Sequence, residues 1–73
     1  MKYYVILLVV FNDGTPDKLG IYTVKSEAEA VQNFHKYMGQ YVNVANVASV
    51  CVEAKNSVGG IYKNESWVAP VEA

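Results

Sequence analysis

Arginine does not occur in this chain, and cysteine, histidine and tryptophan occur once each. Each shortage excludes something. A disulfide within the chain needs two cysteines, and Cys51 stands alone. A structural zinc site needs about four Cys or His ligands, and Cys51 with His35 supplies two at most. Six lysines and no arginine, set against seven acidic residues, give a net charge of −1. A nucleic-acid binder shows a basic stripe that neutralises phosphates, and no such stripe is present. The longest apolar run, residues 3–11, is well short of the ~20 residues of a membrane-spanning helix. Its position behind Met1-Lys2 resembles the start of a signal peptide. The single Lys, the missing small-residue cleavage site and the turn formers that follow argue for a strand instead. A cytoplasmic location is the expectation, and the free thiol fits it.

What is present is apolar. Hydrophobic residues make up 52% of the 73 positions and charged residues 18%. That composition folds. The length allows one domain, residues 1–73. Below about 70–80 residues a single core rarely supplies more than ~3–5 kcal/mol, and small chains lean on disulfides, metals or association. With the first two excluded, association is the device that remains.

The run Tyr3-Tyr4-Val5-Ile6-Leu7-Leu8-Val9-Val10-Phe11 carries the strongest signal. A half-buried strand alternates apolar and polar residues, whereas a continuous apolar strand is buried on both faces. Strand one is expected over 2–11 and ends at Asn12-Asp13-Gly14-Thr15-Pro16-Asp17, a dense set of turn formers. Strand two, 18–24, alternates Leu19, Ile21 and Thr23 with Lys18, Gly20 and Tyr22. Ser26-Glu27-Ala28-Glu29 reads as a capping box that opens a helix. Val31, Phe34, Met38, Tyr41 and Val42 then form its apolar stripe, with Ala28 and Ala30 beside them. Gly39 lies inside this stripe, so the helix is expected to end near Val42, with Asn43 past its end. Strand three spans 47–55, 56–60 is a hairpin loop, and strand four spans 61–68. Residues 69–73 are expected to fray.

The order ββαββ predicts an α+β fold, one helix on a four-stranded antiparallel sheet. Strand one is the most apolar and strand three the next. Both belong in the centre, giving the order 2-1-3-4. One helix covers one face. Charges at Lys2, Glu53, Lys63 and Glu65 mark the other face. They assign Tyr4, Ile6, Leu8, Val10, Val47, Cys51, Ile61 and Trp67 to it. Tyr3, Val5, Leu7, Val9, Phe11, Ala48, Val50, Val52, Tyr62 and Val68 then face the helix. A one-residue bulge would invert the strand-one assignment. Tyr4, Ile6, Leu8, Val10, Cys51, Ile61 and Trp67 are thus the candidate interface.

Other motifs have plainer readings. Cys51 and His35 would make a thiol nucleophile only within hydrogen-bond reach, and the sheet separates them. Asn12, Asp13, Thr15 and Asp17 lack the spacing and bidentate Glu of a calcium loop and read as a turn. Tyr3, Tyr4, Tyr22, Tyr62 and Trp67 could stack bases, but without a basic surface they read as core and interface. No helix follows Gly59-Gly60, so it is not a phosphate loop. Asn64-Glu65-Ser66 matches a glycosylation sequon within a strand.

The Met1-to-Ile6 opening, the Asn12-to-Lys18 turn, Ile21-Tyr22-Thr23-Val24 and the Gly59-to-Glu65 segment together resemble a group of short proteins from gut bacteria and their prophages. That group has no established activity, and the resemblance implies a small α+β fold alone. The first strand is also similar to the start of HicB-type antitoxins. Their typical Pro-Asp-Leu-Pro-Gly-Cys segment does not follow here.

The leading expectation is a non-catalytic protein that self-associates through its open sheet face, as an accessory or regulatory protein of a mobile element. A hetero-binding module of antitoxin or inhibitor type is the alternative. A small enzyme with a site at a dimer seam is a third. No catalytic residue, cofactor, metal, nucleic acid or membrane is expected, and the partner is a second copy or one other protein.

Overall fold

Strand β1, Tyr3–Phe11, turns back into β2, Lys18–Val24, through a loop in which Gly14 takes φ 88°. Only glycine adopts that region without strain. Helix α1, Glu27–Tyr41, follows, then β3, Val47–Asn56, and β4, Ile61–Val68. The computed structural model describes residues 1–70. The four strands form one antiparallel sheet in the order β2-β1-β3-β4, with α1 on one side. This is the α+β architecture expected from the element order.

The helix starts as its sequence dictates. The Ser26 hydroxyl accepts from the Glu29 amide at 3.2 Å. The Glu29 carboxylate accepts from the amide of Lys25 at 3.4 Å, one residue further out than a capping box places it. Gly39 lies inside the helix, which stops at Tyr41. Asn43 turns the chain away at φ 63°, a left-handed conformation that asparagine tolerates better than most residues.

The core forms where α1 meets the two central strands. Ala30, Phe34 and Met38 of the helix pack with Val5, Leu7 and Val9 of β1 and Val47, Val50, Val52 and Ala54 of β3. The buried stripe is Ala30, Phe34 and Met38; Val31, expected on it, is half-buried, and Ala28, expected beside it, is exposed. Tyr37, Tyr41 and Val42 pack at its edge. Alternate β1 residues enter this core, so their neighbours Tyr4, Ile6, Leu8 and Val10 face the other way.

Two bulges change the side assignments elsewhere. Val10 pairs with Ser49 but Phe11 pairs with Val47, so Ala48 is the extra residue of β3. Val47, expected on the open side, is therefore buried in the core. Ala54 pairs with Lys63 but Lys55 pairs with Ile61, so Tyr62 is the extra residue of β4. Beyond it the phase is inverted. Trp67 pairs with Val50 and packs against the core, on the helix side and not on the open face. Val68 pairs with Ser49 and faces the open side instead. Lys63 and Glu65 share the helix side with Ala54 and Val52. They misled the assignment because β4 is an edge strand, so charges there reach water from either face.

Ala69 lies in the tail expected to fray, and its amide donates to the Ala48 carbonyl at 2.9 Å. The tail's remaining residues, 71–73, lie outside the described residues.

Candidate functional site

The register sets the open face out as a grid, because partners opposite each other share a side of the sheet. One row across β2, β1, β3 and β4 is Leu19, Leu8, Cys51 and Ser66. The next is Ile21, Ile6, Glu53 and Asn64. A third is Thr23, Tyr4, Lys55 and Ile61, and Val10, Ser49 and Val68 close the far end. The β2–β1 half is thus contiguous apolar surface: Leu19, Ile21, Ile6, Leu8, Val10 and Tyr4. The β3–β4 half is mostly polar, and its centre carries a Lys55–Glu53 ion pair of 3.5 Å.

Leu19 and Ile21 are 67% and 64% exposed and Leu8 is 39% exposed. The structure therefore brings six of the seven expected interface residues to one face: Tyr4, Ile6, Leu8, Val10, Cys51 and Ile61. It removes Trp67. Leu19, Ile21 and Val68 join them and were missed. The alternation of β2 gave a usable signal for the first two, but no charge marked which side they took.

On the helix side, four of the five aromatic residues that could have formed a stacking platform pack against the core. Tyr3 stacks with Tyr62 at 6.3 Å and Tyr22 with Tyr37 at 5.1 Å. Only Tyr4 faces the open side, so the five do not assemble into one platform. Tyr22 also covers Gly20, where an added Cβ would lie 2.7 Å from its hydroxyl. Lys18 donates to the Tyr41 hydroxyl at 2.8 Å, which raises the Lys18 pKa above the ordinary lysine value.

Cys51 is half-buried on the open face. His35 is exposed on the helix, with its ring against the edge of Phe34 at 5.2 Å. The sheet lies between them. The Asp13 carboxylate accepts from the Thr15 amide and the Asn46 side chain, both at 3.0 Å. Hydrogen bonds from Thr15 and then Asn46 lower its pKa to about 2. Its lone pairs hold the first turn to the α1–β3 loop. Among the described residues, no three His, Cys, Asp or Glu side chains gather where they could hold a metal ion.

Asn56, the one buried polar residue among the described residues, is hydrogen-bonded through both ends of its amide. Its Oδ1 accepts from the amides of Val58 at 3.1 Å and Gly60 at 2.8 Å, and its Nδ2 donates to the Tyr62 hydroxyl at 2.9 Å. These bonds shape the β3–β4 turn.

The class of protein so defined is a small α+β domain whose sheet is covered on one face. No protein-family model, curated protein or solved structure matches this chain. No helix among the described residues is long and apolar enough to cross a membrane.

Proposed function

We propose that this protein is a non-catalytic association module that forms a homodimer sheet against sheet. A single observation carries the reading: the contiguous apolar surface of Leu19, Ile21, Ile6, Leu8, Val10 and Tyr4 on the face opposite the helix. Monomeric proteins rarely expose such a patch without using it.

Size supports the same reading. Four strands ~4.8 Å apart and about eight residues long at ~3.3 Å per residue give a face of ~500 Å². Two copies would bury ~1,000 Å² in total, the lower bound for a specific interface. A sheet pair would cross at about −30° with its side chains interdigitated. The polar β3–β4 half would form the wetter side of the contact. A two-fold contact uses the same patch on both copies, which suits a face that is apolar on one half. The biological role is that of an accessory or regulatory protein acting in the cytoplasm.

Light scattering coupled to size exclusion, over a dilution series through low micromolar concentration, tests the dimer. The expected result is twice the chain mass, falling to a single chain in Leu8→Asp. A folded monomer at every concentration would overturn self-association and point to a different protein as the occupant.

A further inference from the structure

A second surface lies away from the apolar half of the open face. An open groove of about 790 Å³ runs between the end of β4 and the α1–β3 loop. Its walls include Asn12, Asn43, Val44, Ala48, Trp67 and Pro70. That volume is within the ~300–1,000 Å³ of small-molecule sites. The Tyr62 bulge gives Trp67 the strand phase it has at this site. The walls are tied together. The Asn12 amide donates to the Asn46 carbonyl at 2.9 Å, and the Ala69 amide to the Ala48 carbonyl at 2.9 Å.

We propose that this groove binds an uncharged, hydroxyl-rich ring, specifically a short neutral saccharide. Its chemistry selects that class in three ways. Among the described residues, its walls carry no charged side chain, so a phosphate or carboxylate would find no counter-charge there. Asn12 and Asn43 are exposed at its rim, and each amide offers a donor beside an acceptor. A sugar hydroxyl likewise donates and accepts. The half-buried Trp67 supplies a flat apolar surface with a polar N–H, which suits the C–H face of a pyranose. The groove is open and Val44, Val68 and Pro70 on its walls are exposed. A ligand here keeps one side in water, which a wholly apolar molecule would gain little from.

Trp67 is the only tryptophan, so its emission reads this site directly. The full chain would be titrated with cellobiose, maltose and chitobiose, and with glucose 6-phosphate, adenosine monophosphate and indole as comparators. The expected result is a saturable emission shift with at least one neutral disaccharide, stronger than with any comparator. Asn43→Gly removes one amide and keeps the φ of 63° accessible; Asn12→Ala removes the other at an exposed position. Loss of a hydrogen bond of ~1.4 kcal/mol corresponds to about tenfold weaker binding in each variant. Elution volume and circular dichroism should stay as in the parent, which separates this test from that of the dimer. No saturable shift with any of the three sugars would overturn the proposal. So would equal or stronger binding of a comparator, or unchanged sugar affinity in both variants.

Discussion

The two faces of this sheet are made by the same strands and meet different fates. Along β1, Val5, Leu7 and Val9 are fully buried under the helix. Ile6, Leu8 and Val10 alternate with them, are just as apolar, and stay partly in water. Helix cover makes the difference. Among the described residues the one helix, 15 residues long, lies over β3 and β1, and no helix lies on the other side. The covered face holds the core, and the open face leaves apolar side chains in water.

Truncating one leucine on each face separates those roles. Leu7→Ala empties space in a packed core, which costs ~2–5 kcal/mol. A single core of this size supplies ~3–5 kcal/mol, so the variant should be largely unfolded at 25 °C by circular dichroism. Leu8→Ala, measured well below the dimer's dissociation constant, should cost ~1 kcal/mol or less, because its side chain is already partly hydrated. At high concentration the same variant should lose stability relative to the parent. Equal urea midpoints for the two variants in the dilute regime would remove the distinction between the faces.

Charge placed on either side sharpens the comparison. Ile21→Lys puts an ammonium into the apolar half, at an edge position that is 64% exposed. The monomer should stay folded, and dimer affinity should weaken by at least a hundredfold, ~2.7 kcal/mol. Lys63→Ala and Glu65→Ala change the helix side of the other edge and should leave the dimer mass untouched. A dimer that survives Ile21→Lys but not Lys63→Ala would place the contact elsewhere.

The strand order, the cap at Ser26 and both faces of β1 were legible because each rests on local pattern. The two-residue period along β1 is unbroken from Tyr3 to Val10, so one correct anchor orders eight positions. Strand β4 was legible only to its bulge. Tyr62 is an ordinary strand residue in sequence, and its insertion is set by the preceding turn. There Asn56 Oδ1 accepts from the amides of Val58 and Gly60, and the Asn56 backbone amide donates to the Gly60 carbonyl at 2.9 Å. Nothing in the residue types of 61–68 encodes that geometry, so Trp67 and Val68 exchanged sides. The groove was illegible for a related reason. Asn12, Asn43 and Trp67 lie on three separate segments, and only the folded chain brings them together.

Smaller effects test the framework around the two faces. Ser26→Ala removes the bond to the Glu29 amide and should cost ~1 kcal/mol, read as a lower urea midpoint. The helix sits on the covered face alone, so dimer affinity should change less than stability does. A variant that dissociates without losing stability would show that α1 contributes to the contact.

Acid titration gives the smallest effect, and it depends on Asp13. Hydrogen bonds from Thr15 and Asn46 stabilise its ionised form, so its pKa in the folded chain is about 2, below the ordinary 3.8. A group with a depressed folded pKa adds stability above its unfolded value and loses it as pH falls through the folded value. The Asp13 contribution should therefore be complete above about pH 5, shrink below pH 4, and be mostly gone near pH 2. Asp13 is fully exposed, so the difference is small and must be read against a matched variant. In Asp13→Asn the neutral amide cannot titrate. The gap in melting temperature between parent and variant should narrow as pH falls from about 5 to about 2. A gap that stays constant over that window would mean that the turn is held to the α1–β3 loop by the Asn12–Asn46 backbone bond, not by the carboxylate.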